Sequence, residues 1–124
     1  MPLSHRNYGA ARVLAPKGRL DHETCEAFQA DLRPHAAACA SEGSALVLDL
    51  SGLEYVSSAG LRCLMIAARE AKSRAGRILV AAMQPVVAEI FQISRFNLVL
   101  EVFPTVREAL ASVSPQAVQA FERG

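Results

Sequence analysis

Residues 45–61, ALVLDLSGLEYVSSAGL, constrain this chain more than any other stretch. Residues 45–48 are an apolar run of strand length, uninterrupted enough to be buried on both faces. Asp49 and then Ser51-Gly52 bring turn chemistry. A second short apolar step, Tyr55-Val56, delivers the chain to the adjacent hydroxyls of Ser57 and Ser58, and beyond Gly60 the apolar spacing becomes helical. A strand that hands over to a helix exposes a polar side chain on a rigid support. It does so beside backbone N–H groups that favour anions. A serine at such a junction is either a helix cap or a chemically addressed site.

The flanking sequence repeats the strand–helix alternation. Strands are predicted at residues 10–14, 45–50, 77–82 and 98–102. Asp21 is a good N-cap for a helix running to about residue 39, carrying Ala27, Phe28, Leu32 and Ala36 at helical spacing. Pro34 lies inside it and kinks it or ends it early. The 41–44 segment, SEGS, is a turn. Leu61, Leu64, Met65, Ala68 and Ala71 form one stripe of the helix after Ser58, closed by Ala75-Gly76. Arg62, Arg69, Glu70, Lys72 and Arg74 point elsewhere. Pro85 opens a short helix with Val86, Val87, Ile90 and Phe91. Pro104-Thr105 starts a last one through Val106, Leu110 and Val113. Residues 1–113 are expected to form a single domain, and residues 114–124 to extend the last helix or fray. Alternating strands and helices imply an α/β fold with a mainly parallel sheet.

Length and charge narrow the function classes. A chain of 124 residues suits one domain with a real core. A net charge of +1 gives no argument for direct nucleic-acid binding or a membrane surface. The first residues carry no apolar signal region, and no apolar stretch reaches the roughly 20 residues that span a bilayer. Cys25, Cys39 and Cys63 are odd in number and lack any CxxC pair. They point to reduced thiols in a cytoplasmic protein, not to a disulfide frame or a zinc site, and Cys63 falls in an apolar run as a core residue.

Several chemistries compete for the Ser57-Ser58 junction. The first is a plain helix cap, worth about 1 kcal/mol. A nucleophile elbow also puts serine at a strand-to-helix turn, but Val56 occupies the place of its first glycine. His5, His22 and His35 all precede the serine and offer no ordered triad, so no enzyme is expected. The third is phosphorylation, which adds about −1.5 to −2 charges at a helix start that tolerates them. Asp21 and Asp49 each follow or end a strand, so both can approach Ser58 from one sheet edge. Asp21 otherwise caps a helix, and Asp49 otherwise makes an Asx-type turn with Ser51 and Gly52. A Mg²⁺ held by the two carboxylates is the further alternative, with nothing else in the sequence supporting a metal. No Gly-rich phosphate loop exists, because the seven glycines are scattered singly. No cofactor is implied.

At these residues the chain resembles the STAS domain of anti-sigma-factor antagonists and of sulfate-transporter tails. Gly18-Arg-Leu-Asp21 followed by Thr24 is similar to the family's G-x-L-D…T element. Leu48-Asp-Leu-Ser-Gly-Leu53 is similar to its D-[LF]-S-G-[LV] strand end, and Tyr55-Val-Ser-Ser-Ala-Gly-Leu61 to its signature [FY]-[MI]-D-S-[ST]-G-L. Residues 76–80, with Phe103 and Ala109-Leu110, also fall in register, and the resemblance covers about residues 4–113. Ser57 stands where the signature has Asp, Ala59 where it has Ser or Thr, and Arg95 where relatives often carry a helix-ending glycine.

The resemblance implies a four- to five-stranded mixed, mainly parallel sheet with helices packed on one side. It implies an anti-sigma-factor antagonist that binds an anti-sigma factor acting as a serine protein kinase. Phosphorylation at Ser58, with Ser57 the second choice, would switch it off, and a serine phosphatase would restore it. The partner-binding surface it implies comprises Asp21, Ser57, Ser58, Ala59, Arg62 and Arg69. Asp49, Gly52 and Gly60 hold the motif's shape. The alternative is a constitutive STAS binding subunit of a transporter ATPase or signalling complex.

Overall fold

The structure is a computed structural model, and it describes residues 5–39, 44–73, 76–96 and 100–123. Within those residues the chain runs β1 (His5–Tyr8), β2 (Ala11–Leu14), β3 (Gly18–Leu20), α1 (Cys25–Ala38), β4 (Ala45–Asp49) and β5 (Leu53–Val56). It continues through α2 (Ser58–Ser73), β6 (Arg77–Ala81), α3 (Pro85–Ile93), β7 (Glu101–Phe103), α4 (Val106–Val113) and α5 (Pro115–Arg123). A five-stranded sheet has the order β1-β2-β4-β6-β7, and β3 pairs with β5 in a separate two-stranded ribbon. Only the β1–β2 pair of the main sheet is antiparallel; β2–β4, β4–β6 and β6–β7 are parallel. The mixed, mainly parallel α/β sheet is as the sequence implies.

The period-two alternation of the central strands decides which face each helix covers. Leu46 and Leu48 of β4, with Ile78 and Val80 of β6, face a core built with Phe28 and Leu32 of α1, Leu61, Leu64, Ala67 and Ala71 of α2, and Val87 and Phe91 of α3. Ala45, Val47, Leu79 and Ala81 alternate to the other face, where Ala109 and Leu110 of α4 and Ala117 of α5 cover them. The expectation of helices on one side is therefore corrected. A strand apolar at every position needs cover on both faces, and the C-terminal helices supply the second layer.

Other boundaries also move. The predicted helix capped by Asp21 begins instead at Cys25, with Thr24 in the N-cap position. Pro34 neither ends nor shortens α1, which continues to Ala38. The inner stripe of α2 includes Cys63 and Ala67, while Met65 and Ala68 are only partly buried. The last sheet strand is Glu101–Phe103; Leu98 and Val99, and likewise residues 41–43, Arg74 and Ala75, lie outside the described residues. Three strands escape the sequence pattern. β1 is a polar edge strand exposed at all but Tyr8, and β3 and β5 are three and four residues long.

Candidate functional site

The β3–β5 ribbon places the serine pair. β5 ends at Val56, which pairs with Leu20 at the end of β3. The Ser57 N–H then donates to the Leu20 carbonyl at 2.9 Å, and α2 starts at Ser58. Ser57 caps that helix: its Oγ accepts from the Gly60 N–H at 3.2 Å, and its carbonyl accepts from the Leu61 N–H at 2.9 Å. This satisfies one of the donors that a helix start leaves unpaired. Ser58, at the first helical position, is exposed. Its hydroxyl makes no hydrogen bond among the described residues. The two hydroxyls are thus divided, one spent inside the turn and one presented to solvent.

Gly60 is there because the helix start presses against β3. A Cβ at Gly60 would overlap the Leu20 carbonyl oxygen and stand 3.0 Å from Leu20 Cγ. Gly52, in the loop before β5, returns its carbonyl to the Gly18 N–H at 3.0 Å, and a Cβ there would meet Lys17 Cγ at 3.0 Å. Asp49 ends β4 and accepts from the Ser51 N–H at 3.0 Å, the Asx turn rather than a ligand. Gln84, just before α3, donates its amide to the Ser51 carbonyl at 2.8 Å and ties this loop to the next helix. Both glycines and Asp49 therefore shape the approach to the serine turn.

Asp21 follows Leu20 directly, so the Leu20–Ser57 hydrogen bond brings the Asp21 turn alongside the start of α2. Its Oδ1 accepts from the Glu23 N–H at 3.0 Å and the Thr24 N–H at 3.2 Å, and lies 3.3 Å from the Thr24 hydroxyl. Partial burial works against its charge. The Glu23 and Thr24 N–H groups, the Thr24 hydroxyl and nearby His22 outweigh that and hold its carboxyl below the ordinary value of 3.8. Asp21 is an ionised acceptor with most of its bonding spent on its own turn, no proton donor.

Sequence reasoning missed two neighbours. Arg19 and Tyr55 are paired in the β3–β5 register. The Arg19 guanidinium sits 4.6 Å from the Tyr55 ring centroid, and its Nε is 3.7 Å from Asp21 Oδ2. The signal existed: two short segments, each with a polar or amphipathic residue just before the last apolar one, in a parallel pair. Seeing it required knowing that they pair.

Ala59 is half-buried in the first turn of α2, and Arg62 and Arg69 are exposed further along it. Arg62 is four residues from Ser58 and shares its helix face; Arg69 follows two turns later. A cavity of about 880 Å³, lined by residues including Ala68, Ile78, Phe91 and Val102, includes none of these side chains. Among the described residues, no three His, Cys, Asp or Glu side chains gather to hold a metal ion, and no helix is long and apolar enough to cross a membrane.

Comparison with known proteins identifies the family. Residues 4–102 match the family described as Mlab, STAS domain. A Bordetella bronchiseptica protein named as an anti-sigma factor antagonist, BtrV, is 34% identical over 121 residues, covering 95% of this chain and 98% of that one. The fold is similar to that of a Thermotoga maritima protein described as an anti-sigma factor antagonist, with a TM-score of 0.79 at 16% identity over 90% of this chain and 93% of that one. It is similar as well to the anti-sigma factor antagonist SpoIIAA in its unphosphorylated form, with a TM-score of 0.68 at 22% identity, covering 90% and 95%. A sequence match across nearly the full length, on the fold these antagonists have, places this chain in the STAS domain family, among the anti-sigma factor antagonists.

Proposed function

We propose that this chain binds an anti-sigma factor that is also a serine protein kinase, and that phosphorylation of Ser58 ends the binding. The observation that carries the proposal is the division of the two hydroxyls. Ser57 is committed to the cap through Gly60, so modifying it would cost the helix its start. Ser58 is exposed at the first helical position, where the helix dipole tolerates a phosphate and the fold survives. A partner that covers Asp21, Ser57, Ser58, Ala59, Arg62 and Arg69 would meet that charge inside a drying interface, at a cost of several kcal/mol. A serine phosphatase reverses the switch. The protein acts in the cytoplasm through protein contacts, not on nucleic acid.

Incubation with the cognate anti-sigma kinase and ATP, followed by intact-mass measurement, tests the assignment. The unmodified chain and Ser57→Ala are expected to gain one phosphate, and Ser58→Ala none. Ser58→Asp should bind the partner at least about tenfold more weakly. Phosphate on Ser58→Ala but not on Ser57→Ala would move the acceptor to Ser57. One observation favours a second reading: Ser57 stands where the family signature has a carboxylate, so no acid adjoins the acceptor. A constitutive binding subunit of a transporter ATPase or signalling complex would use the same surface unmodified. Tight binding to an active kinase with no phosphate incorporated would select it.

A further inference from the structure

The cavity of about 880 Å³ lies between α2 and α3, over β6 and β7, and the serine switch does not use it. α2 leans on α1, and the small Ala68 of α2 and Ala88 of α3 leave room between their two helices. Polar and apolar groups are sorted along the length of that room. α2 hands over to β6 and α3 to β7, so the last turns of both helices lie at the end where those parallel strands begin. Lys72 of α2 and Gln92 of α3 line the cavity from those last turns. Where the strands finish, Met83, Ala88 and Pro104 line it, and Ile78, Phe91 and Val102 lie along the way. β6 alone carries the chain four steps of about 3.3 Å from Arg77 to Ala81, so the space is elongated. The charges are sorted as well. Among the described residues that line the cavity, Lys72, Arg77 and Glu101 are charged. Arg77 is matched by Glu101 through contacts of 2.7 and 3.0 Å, and it donates to the Ser112 carbonyl of α4, in the opposite helical layer, at 3.2 Å. Lys72 and Gln92 are exposed, and neither side chain has a hydrogen-bond or ion-pair partner among the described residues.

We propose that this cavity binds a free fatty acid as its carboxylate, with the head group at Lys72 and Gln92 and the chain lying along Phe91 and Val102 toward Met83. One unmatched cation calls for one negative charge, and the neighbouring amide N–H donates to the same carboxylate. The hydrocarbon leaves water for apolar side chains and needs no polar partner there. The carbonyl ends of α2 and α3 lie beside the head group and work against an anion. The Lys72 ammonium, not the backbone, therefore makes this end accept a carboxylate. The inference stands apart from the Ser58 switch and holds whether or not Ser58 is phosphorylated.

Amide NMR titration of the native chain with dodecanoate, kept below its micellar concentration, tests it. The expected result is a saturable shift centred on Ala68, Lys72, Ala88, Gln92 and Val102. Dodecanol, the same chain without the charge, should move the same residues at lower affinity, and butyrate should not saturate. Lys72→Met keeps the stem and removes the charge. It should weaken dodecanoate about fivefold and leave dodecanol unchanged, and added salt should act in the same direction on the native chain. Ala88→Phe, which narrows the apolar end, should weaken both ligands. No saturable shift with dodecanoate, equal dodecanoate affinity in Lys72→Met, shifts centred on α4 and α5, or a response to phosphatidylglycerol vesicles but not to dodecanoate would each overturn the proposal.

Discussion

Ser57 and Ser58 are one residue type one peptide apart, and the backbone around them gives them different work. Ser57→Ala removes the acceptor for the Gly60 N–H and should cost about 1 kcal/mol. Ser58→Ala removes an exposed hydroxyl and should stay within about 0.5 kcal/mol of the parent in urea unfolding. Equal losses at both positions would mean the cap is shared. The sequence locates the pair but cannot divide it, because either serine satisfies a cap pattern until the register of α2 is known. Arg95 offers a second test. It follows Ser94, the C-cap of α3, and holds φ at 61°, a left-handed conformation that costs a non-glycine residue about 1–2 kcal/mol. Arg95→Gly should raise stability by about 0.5–1 kcal/mol, net of the entropy glycine adds to the unfolded chain, as a higher urea midpoint at unchanged slope.

At the scale of single elements, α1 is where the sequence misleads and where pH acts. Asp21 looks like a helix cap, yet it caps the turn that precedes the helix, since its Oδ1 takes the Glu23 and Thr24 N–H groups. Local pattern cannot distinguish a cap from an Asx turn four residues earlier; both put a carboxylate beside free N–H groups. Further along α1, His35 Nδ1 lies 3.1 Å from an Arg12 guanidinium nitrogen. Arginine can only donate, so His35 accepts there as a neutral ring. Burial, then the charges of His5 and Arg12, hold His35 below its ordinary 6.5, opposed by Asp31. A group depressed on folding lends stability that is complete above its unfolded value and is lost as pH falls through the folded one. The melting temperature should therefore decline as pH drops below 6.5. His35→Gln should flatten that limb. A further decline below 3.8 should remain, since Asp21 is depressed too, and Asp21→Asn should reduce it. A parent chain whose melting temperature is level down to that second limb would dismiss the Arg12–His35 contact as a stability determinant.

Across the whole molecule, legibility follows burial. The strands β4 and β6 are legible because each carries an unbroken apolar run, residues 45–48 and 78–81, and β2 because residues 10–14 are apolar but for Arg12; the alternation with helices follows from them. β1, β3 and β5 are not, because their partners rather than their composition make them strands. β1 is a polar edge held by its pairing with β2. The second helical layer was hidden for a related reason. A run apolar at every position announces two buried faces but not which segment covers each. α5 is the element that decides the point. Its Ala117 is fully buried with Tyr8 and Val47, and Phe121 meets the Tyr8 ring edge-on at 5.4 Å between centroids. Gly9 turns the chain between β1 and β2 at φ 61°, a conformation that favours glycine, and lies against the Ala117 backbone, where a Cβ would make ordinary contact at 3.4 Å. Arg107 of α4 and Glu122 of α5 pair at the surface, a contribution of at most about 1 kcal/mol. We therefore propose that residues 114–124 belong to the folding unit rather than trailing from it. A chain ending at Val113 uncovers Tyr8 and the outer face of β1 and β2, and loses the half-buried Val118 and Phe121 with Ala117. The expected loss is about 3 kcal/mol, or roughly 10 °C in melting temperature for a domain of this size. The Ser58 surface is built on the opposite helical layer, so partner binding by the shortened chain, measured well below its melting temperature, should match the parent. An unchanged melting temperature would return residues 114–124 to the status of a tail, and a lost interaction in a chain that still melts cooperatively would place α5 in the partner's footprint.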